Sequence, residues 1–412
     1  MYRQVLSRRP VLLYLTAGGI SRLGSILSGM GFLFLAHELT ASAWHTTAVV
    51  IAETVPYLLF GLIGGVAADW VRKKTLLIAL DLMRAPLATS VFLLHLAGML
   101  TYPWLLAVAF LIQTLGCFYN PGHRAVLPLL TAPEERTCAN GLADTVSRGM
   151  MAISPLLAVP LLPFAGGTLF FLIDAGTFLV SAALLALIPL PEQPEPQEPR
   201  RIRHVFLAIG DYLAWVRRQS VHRHLFAASF LTVFFSTWVW EVGLLLLLKS
   251  SWEDGESRYS MLLGMFGAVV ILANLVIPLV WSRLSLATYL LGAMIWGCGI
   301  GLLTWSAMVP LSWAGVIIVG VGMPLASLSR VFLLQTLTPE AKLGRGFSFH
   351  GMLLYLANVL SLATGGWLSQ LVPLPWLFAV SGAAMVLTAA GYLYRLRNSP
   401  GAMRYNLLNN RL

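Results

Sequence analysis

The chain has 412 residues, of which 58% are hydrophobic and 11% charged, and its mean hydropathy is +0.78. This composition excludes a soluble globular protein, because most of the sequence cannot face water, and it predicts an all-α membrane protein. A net charge of +10 is also typical of nucleic-acid-binding proteins. Here, however, the basic residues gather on one side of successive apolar runs, so we expect no nucleic-acid partner.

The first half contains six apolar stretches that fit membrane helices, for which roughly 20 residues are needed. The basic start, Met1 to Pro10, resembles a signal peptide, but the apolar run continues without a small-residue cleavage site, so we interpret it as a retained first helix. The six spans are predicted near Val11 to Leu35, Thr46 to Ala68, Leu76 to Leu100, Trp104 to Tyr119, Gly141 to Pro163 and Thr168 to Leu190.

Several ionisable residues fall inside these spans, where a charge costs roughly 3 kcal/mol on insertion scales. Arg22, near the middle of span one, is a candidate to bind an anionic substrate group, and a structural ion pair is an equal alternative. Glu53, Asp174 and Asp144 are candidates for a proton-coupling carboxylate. The sequence does not decide among them.

Two acid–base pairs in these spans have helical spacing. Asp144 and Arg148 are four residues apart, and Asp81 and Arg84 are three apart. Residues at these spacings share one helix face, so we interpret both as pairs that neutralise themselves.

The turn between spans two and three reads GGVAADWVRKK and resembles motif A of the major facilitator superfamily. Trp70 and Arg72 depart from the motif. The matching residues are Gly65, Asp69, Lys73 and Lys74.

This resemblance implies that Asp69 closes the cytoplasmic side by contacting the start of span eleven, near Gly344 to Phe347. Arg124 is a second predicted partner in this gate. The corresponding turn of the second half, around Arg283, lacks both the glycine and the acid, so only one half is expected to keep the gate.

The middle of the chain begins with PEQPEPQEPRR, a proline-rich run that predicts a joint between two halves. Apolar residues from Val205 to Val216 then recur at helical spacing, as in a helix on the bilayer surface or a solvated linker helix. The predicted domains are an N-terminal six-helix bundle over 1–190, a cytoplasmic linker over 191–221 and a C-terminal six-helix bundle over 222–412.

The second half again contains six apolar stretches. On span seven, Phe230, Phe234, Trp238 and Glu241 share one helix face, which we call the aromatic strip. Phe234, Trp238 and Glu241 are candidate substrate-binding residues, and a lipid-facing role is the alternative. The six spans are predicted near Leu225 to Leu248, Met261 to Val280, Ala287 to Met308, Trp313 to Leu334, Phe347 to Leu371 and Trp376 to Tyr394.

An internal repeat relates the two halves. RAVLPLLTAPEER, from Arg124, matches RVFLLQTLTPEAK, from Arg330, without gaps. Because each segment falls after the fourth span of its half, we predict two pseudo-symmetric six-helix bundles, twelve transmembrane helices in all. The positive-inside bias then places both termini in the cytoplasm.

The segments ISRLGS, PYLLFGLIGG, DLMRA, CANGLADT and LLQTLTPEAKLGR resemble the superfamily branch that contains macrolide-efflux proteins and the enterobactin exporter. This resemblance implies the major facilitator fold, a substrate site between the halves and a secondary-active exporter of a small amphipathic molecule. LLQTLTPEAKLGR and the proline-rich joint favour a siderophore, and proton coupling is expected. Macrolide or multidrug efflux and lysophospholipid flipping are the alternatives.

No catalytic motif and no P-loop stands out, so we expect neither an enzyme nor a bound cofactor. The three cysteines have no metal-ligand spacing, which predicts no metal site. A non-transporting membrane sensor is the alternative from another class. The expected partners are a small-molecule substrate, membrane lipids and protons, and we expect a monomer in the bacterial inner membrane.

Overall fold

A computed structural model describes residues 5–132, 135–189, 210, 212–281 and 284–398; within these ranges the side chains of 62–70, 136–138, 165, 340–341, 343–345 and 396–397 are not described. The described residues form helices and short connections. The chain divides into two compact units, Met1–Ile202 and Arg203–Leu412. This boundary falls inside the predicted linker.

The described part of the N-terminal unit contains six long helices. A short 3-10 turn, Gly166–Thr168, separates the last two. The helices are α1 (Arg9–Thr40), α2 (Ala43–Trp70), α3 (Lys73–Leu96), α4 (Tyr102–Leu130), α5 (Arg136–Ala165) and α6 (Leu169–Ala186).

Local chemistry fixes several of these helix ends. Pro10 lies in the first turn of α1, where its missing N–H costs nothing, and Ala41 ends the helix in a left-handed conformation with a φ of 47°. Ser42 then begins α2 by accepting a hydrogen bond from the backbone N–H of His45 at 3.4 Å. A single pair of residues therefore separates two membrane-length helices.

From residue 220 onwards, the described part of the C-terminal unit contains seven helices. A π-helical turn, Val239–Gly243, joins the first two into one continuous rod, and a capping box between Ser285 and Thr288 begins the fourth. The helices are α7 (Ser220–Trp238), α8 (Leu244–Ser251), α9 (Gly255–Val280), α10 (Leu286–Leu302), α11 (Val309–Leu337), α12 (Glu340–Leu368) and α13 (Leu374–Arg397).

The two units pair their long helices in the same pattern. In the N-terminal unit, α1 packs on α5 and α6, α2 on α4, and α3 on α4 and α6. In the C-terminal unit, α7 packs on α12 and α13, α9 on α11, and α10 on α11 and α13. Each unit thus repeats one six-element packing scheme, counting the α7–α8 rod as one element.

Eleven stretches of the described residues are long and apolar enough to cross a membrane. They include all the predicted spans except the second. That span falls in α2, where the side chains of 62–70 are not described. The twelfth span and the cytoplasmic location of the termini therefore stay predictions.

The end of the fourth helix differs from the sequence prediction. Helix α4 continues to Leu130, past the predicted end at Tyr119, because Pro121 and Pro128 are accommodated inside the helix. Arg124 consequently lies within α4 instead of after it.

Part of the predicted linker helix packs on the C-terminal unit. Residues 212–216 are helical, and the buried Tyr212 contacts Phe349 with ring centroids 6.0 Å apart. Tyr212 and Val216 belong to the core cluster of this unit, so the apolar face of this part of the linker packs on the C-terminal unit. Residues 190–209 lie outside the described residues.

Candidate functional site

A cavity of about 730 Å³ lies within the N-terminal unit. All six helices of the unit contribute to its walls, and the walls are rich in charged, amide and phenolic groups, which are rare inside membrane proteins and mark substrate or ion pathways. The polar groups come from Tyr14, Arg22, Glu53, Tyr57, Arg84, Gln113, Tyr119, Asn120, His123, Arg124 and Asp144, among others.

Arg22 lies on the α1 wall and its side chain is exposed to the cavity. It forms no ion pair with the residues that the structure describes. The structural ion pair considered as an alternative therefore does not form among the residues that the structure describes.

A stack of aromatic rings forms the next part of the wall. The His123 ring lies between Tyr14 and Tyr119, with centroid distances of 4.3 and 5.5 Å. The Tyr14 hydroxyl also lies 3.0 Å from His123 Nδ1. No local pattern in the sequence indicates this stack, because Tyr14 and His123 are distant in the chain and meet only through helix packing.

A hydrogen-bonded chain crosses from α2 to α4. Tyr57 donates to Gln113 Oε1 at 3.2 Å, and Asn120 Nδ2 donates to the Tyr57 hydroxyl at 3.1 Å. Glu53, a candidate for proton coupling, lies on α2 one helical turn before Tyr57 and lines the same cavity. These hydrogen bonds therefore hold the Tyr57 hydroxyl and the two side-chain amides in place on the cavity wall that also carries Glu53.

Asp174, the second candidate, is fully buried in α6 and lies behind α1. Ser28 donates to its Oδ2 at 2.6 Å, and the Thr177 hydroxyl lies 3.3 Å from its Oδ1. Ser28 lines the cavity, so one hydroxyl connects the buried acid with the cavity wall. Gly24 allows this approach, because a Cβ there would lie 2.6 Å from Asp174 Oδ1.

Asp144, the third candidate, lines the cavity with an exposed side chain and pairs with Arg148 at 2.6 Å. The predicted helix-face pair thus forms. Asp81 and Arg84 also pair, at 3.6 Å, but both are buried, and the Arg84 guanidinium lies over the rings of Tyr119 and Phe178. The sequence predicts no functional role for this second pair.

The aromatic strip of the C-terminal unit divides into two parts. Phe230 and Phe234 stack with nearly parallel rings. Trp238 is only 2% exposed and packs against Gly365 of α12, so the lipid-facing alternative does not apply to its ring. Glu241 lies in the π-helical turn, is exposed, and forms no ion pair within the described part of the chain.

The predicted gate is described only in part. Gly65 and Asp69 lie in the last turns of α2, but their side chains are outside the described residues. Lys74 donates to the carbonyl of Ile188 at 2.9 Å, which ties the start of α3 to the end of α6, and Lys73 is half-buried beside it. Arg124 lies on the cavity wall in α4.

Comparison with known proteins gives matches along nearly the whole chain. A family model described as a transmembrane secretion effector matches residues 9–405. Macrolide efflux protein A of Streptococcus pyogenes is 24% identical over 381 residues, covering 90% of this chain and 92% of that protein. The enterobactin exporter EntS of Citrobacter koseri is 32% identical over 165 residues, or 39% of each chain.

Among solved structures, peptide transporter POT in complex with sulfate superposes with a TM-score of 0.75 at 12% sequence identity, covering 96% of this chain and 98% of that one. At this identity the likeness shows the fold alone, which is that of a major facilitator transporter. The predicted resemblance to the branch with macrolide-efflux proteins and the enterobactin exporter is confirmed by the family model and the relatives.

Proposed function

We propose that this chain, which belongs to the transmembrane secretion effector family, is a secondary-active exporter that moves a small amphipathic organic molecule out of a bacterial cell by alternating access. Efflux transporters among its relatives support the direction of transport. The observation that carries the proposal is the charged cavity of the N-terminal unit, because buried charge in a multi-pass membrane protein requires a ligand, an ion or a structural partner.

The proposed cargo is a siderophore. The enterobactin exporter among the relatives supports this class, and so does Arg22, a cavity cation without an ion pair among the described residues. A guanidinium binds planar oxyanions through two parallel hydrogen bonds, which suits the phenolate or carboxylate groups of such molecules. Phe234 and Glu241 are proposed as substrate-binding residues of the C-terminal unit, whereas the Trp238 ring, the third candidate, is buried against Gly365 and leaves little surface for a ligand.

Proton coupling is proposed for Asp174, Glu53 or Asp144. Asp174 has the strongest support, since it is fully buried yet bonded to a cavity-lining serine, whereas Asp144 is exposed and already paired. A carboxylate in such a position can load and release a proton as access alternates. Gly65, Asp69, Lys73, Lys74 and Arg124 are proposed to form the cytoplasmic gate.

A macrolide or multidrug efflux pump is the second candidate function, favoured by the near full-length match to macrolide efflux protein A. A lysophospholipid flippase or a non-transporting sensor has no comparable support. We further propose that the protein is a monomer in the inner membrane with both termini in the cytoplasm.

Transport into inverted proteoliposomes tests the proposal, with enterobactin as the anionic probe and a macrolide as the alternative. An imposed pH gradient should drive enterobactin accumulation, and a protonophore should abolish it. Macrolide accumulation alone would favour the second candidate. Accumulation that needs ATP and no ion gradient would overturn secondary-active transport.

A further inference from the structure

We propose that Arg22 and Arg124 together form a two-point anion site in the N-terminal cavity, so that its cargo is a molecule with two anionic groups. This inference rests on the proposed function, because it names the class of molecule that the exporter recognises. It gives Arg124 a contact with the cargo while the cavity is open, in addition to its proposed place in the cytoplasmic gate.

Both arginines present exposed side chains to one cavity. Arg22 lines it from α1 and Arg124 from α4. Neither forms an ion pair with the residues that the structure describes. The cavity volume of about 730 Å³ lies within the range of small-molecule sites. Room and free guanidinium donors therefore occur together on two walls, and each guanidinium can bind the two oxygens of one anionic group.

The contacts between α1 and α4 give the spacing of the two arginines along the cavity. The His123 ring, next to Arg124 in the chain, stacks on Tyr14, and a Cβ on Gly18 would lie 2.9 Å from its Cε1 atom. Arg22 lies one further helical turn along α1 from Gly18. The two arginines are therefore one to two turns apart along the cavity, roughly 6–10 Å. One carboxylate is too small to bind both.

The acidic residues around the cavity leave these two cations in excess. Asp144 pairs with Arg148 at 2.6 Å, and Asp81 pairs with Arg84 at 3.6 Å. Among the described residues that line the cavity, Glu53 on α2 is the other acid. Two further cations against one further carboxylate give the cavity a positive potential, which attracts anions and favours a doubly charged cargo over a singly charged one.

The two arginines together select for the number of anionic groups on the cargo. A molecule with one anionic group engages one guanidinium and leaves the other to water. A rigid molecule with an anionic group at each end engages both, and each charge-assisted contact adds its own increment to the affinity. The site therefore distinguishes a diacid from a molecule of the same shape with a single acid.

The test measures binding of naphthalene-2,6-dicarboxylate to the full chain in nanodiscs by calorimetry, with empty nanodiscs as the blank. The matched ligand is its monoamide, in which a carboxamide of the same shape replaces one carboxylate. The wild type should bind the diacid about tenfold more tightly, the scale of one additional charge-assisted contact. Equal affinities in the wild type would overturn the site, whatever the behaviour of any variant.

Substitutions assign the preference to the two arginines. Arg124→Gln and Arg22→Gln each remove one cation, so the preference for the diacid should fall severalfold in both. Arg9→Gln is the matched control, because Arg9 is an exposed arginine of α1 that lies outside the cavity lining, and it should keep the preference. An unchanged preference in Arg124→Gln or in Arg22→Gln would also overturn the two-point site.

Transport separates this proposal from the function on which it rests. If pH-driven transport of enterobactin is absent while the preference for the diacid persists and depends on both arginines, the exporter function fails and the anion site stands. If transport occurs while the diacid and the monoamide bind equally, only the two-point site is removed.

Discussion

The two units share one pattern of helix pairing, but different chemical groups meet where their helices approach closely. In the N-terminal unit, the close approach at Gly24 brings α1 onto a buried carboxylate, Asp174. In the C-terminal unit, two close approaches bring backbone onto backbone: a Cβ on Gly322 would meet the backbone of Trp296, and one on Gly299 would lie 2.7 Å from the backbone nitrogen of Val319. The repeat thus preserves the packing scheme while the side chains diverge.

This difference indicates a division of roles. The buried acids of the described chain, Asp81, Glu135 and Asp174, all belong to the N-terminal unit. Helix contacts in the C-terminal unit instead use small residues, which membrane proteins employ to bring helices close together. We therefore expect substitutions in the C-terminal glycine contacts to act on stability, and substitutions of the N-terminal charges to act on transport.

The largest expected effect on stability is at Gly322. Gly322→Ala would force the added methyl group against α10, and such overpacking costs about 1–3 kcal/mol. Thermal unfolding of the detergent-solubilised protein should show a lower Tm. Gly301→Ala is the matched control, because its added carbon has no atom within 4 Å. Equal Tm values for the two variants would contradict a packing role for Gly322.

The largest expected effect on transport is at Asp174. Asp174→Asn keeps an oxygen acceptor for Ser28 but cannot carry a proton, so pH-driven export should fall at least about tenfold while the protein stays folded. Asp144→Asn, in the exposed pair with Arg148, should change export little. Initial rates in proteoliposomes measure both. Full pH-driven export by Asp174→Asn would remove this residue from the coupling candidates.

A selective effect is expected at Arg22. Arg22→Ala removes a cavity cation, so export of an anionic siderophore should fall about tenfold, the scale of one charge-assisted contact. Export of a cationic dye should change much less. The two rates are compared in the same proteoliposomes. An equal loss for both cargoes would assign Arg22 to the scaffold or the coupling machinery.

The sequence predicts those features of the fold and of the candidate site that depend on residues close together in the chain. Long apolar runs predict the spans, and helical spacing predicts the pair of Asp144 and Arg148. The stack of Tyr14 on His123 and the hydrogen bond from Ser28 to Asp174 join helices that are distant in the chain, so no local pattern indicates them.

The aromatic strip is a second case in which a local pattern does not indicate the contacts between helices. Helical spacing places Phe234 and Trp238 on one face, but it does not say what that face contacts. Packing against Gly365 buries the Trp238 ring inside its own unit, and the π-helical turn after it changes the spacing on which Glu241 was assigned to the strip.

The smallest expected effect is at Asp69. Asp69→Asn should leave insertion unchanged and slow turnover about two- to fivefold, because the interaction of a carboxylate with a helix N-terminus contributes about 0.3–1 kcal/mol. Single-turnover and steady-state export separate this slowing from weaker cargo binding. Lys73→Gln is a companion variant in the same turn. Unchanged turnover by Asp69→Asn would remove its proposed gating role.

The central claim, that cargo binds in the N-terminal cavity, is tested most directly by protection of a cysteine from maleimide. In a variant without the native cysteines, Ser147→Cys places a thiol on the cavity wall, and Thr145→Cys places one on the same helix outside the cavity lining. The account predicts that the siderophore slows labelling at position 147 and leaves labelling at position 145 unchanged. Equal labelling rates with and without the siderophore at both positions, under conditions in which the protein exports it, would contradict the claim.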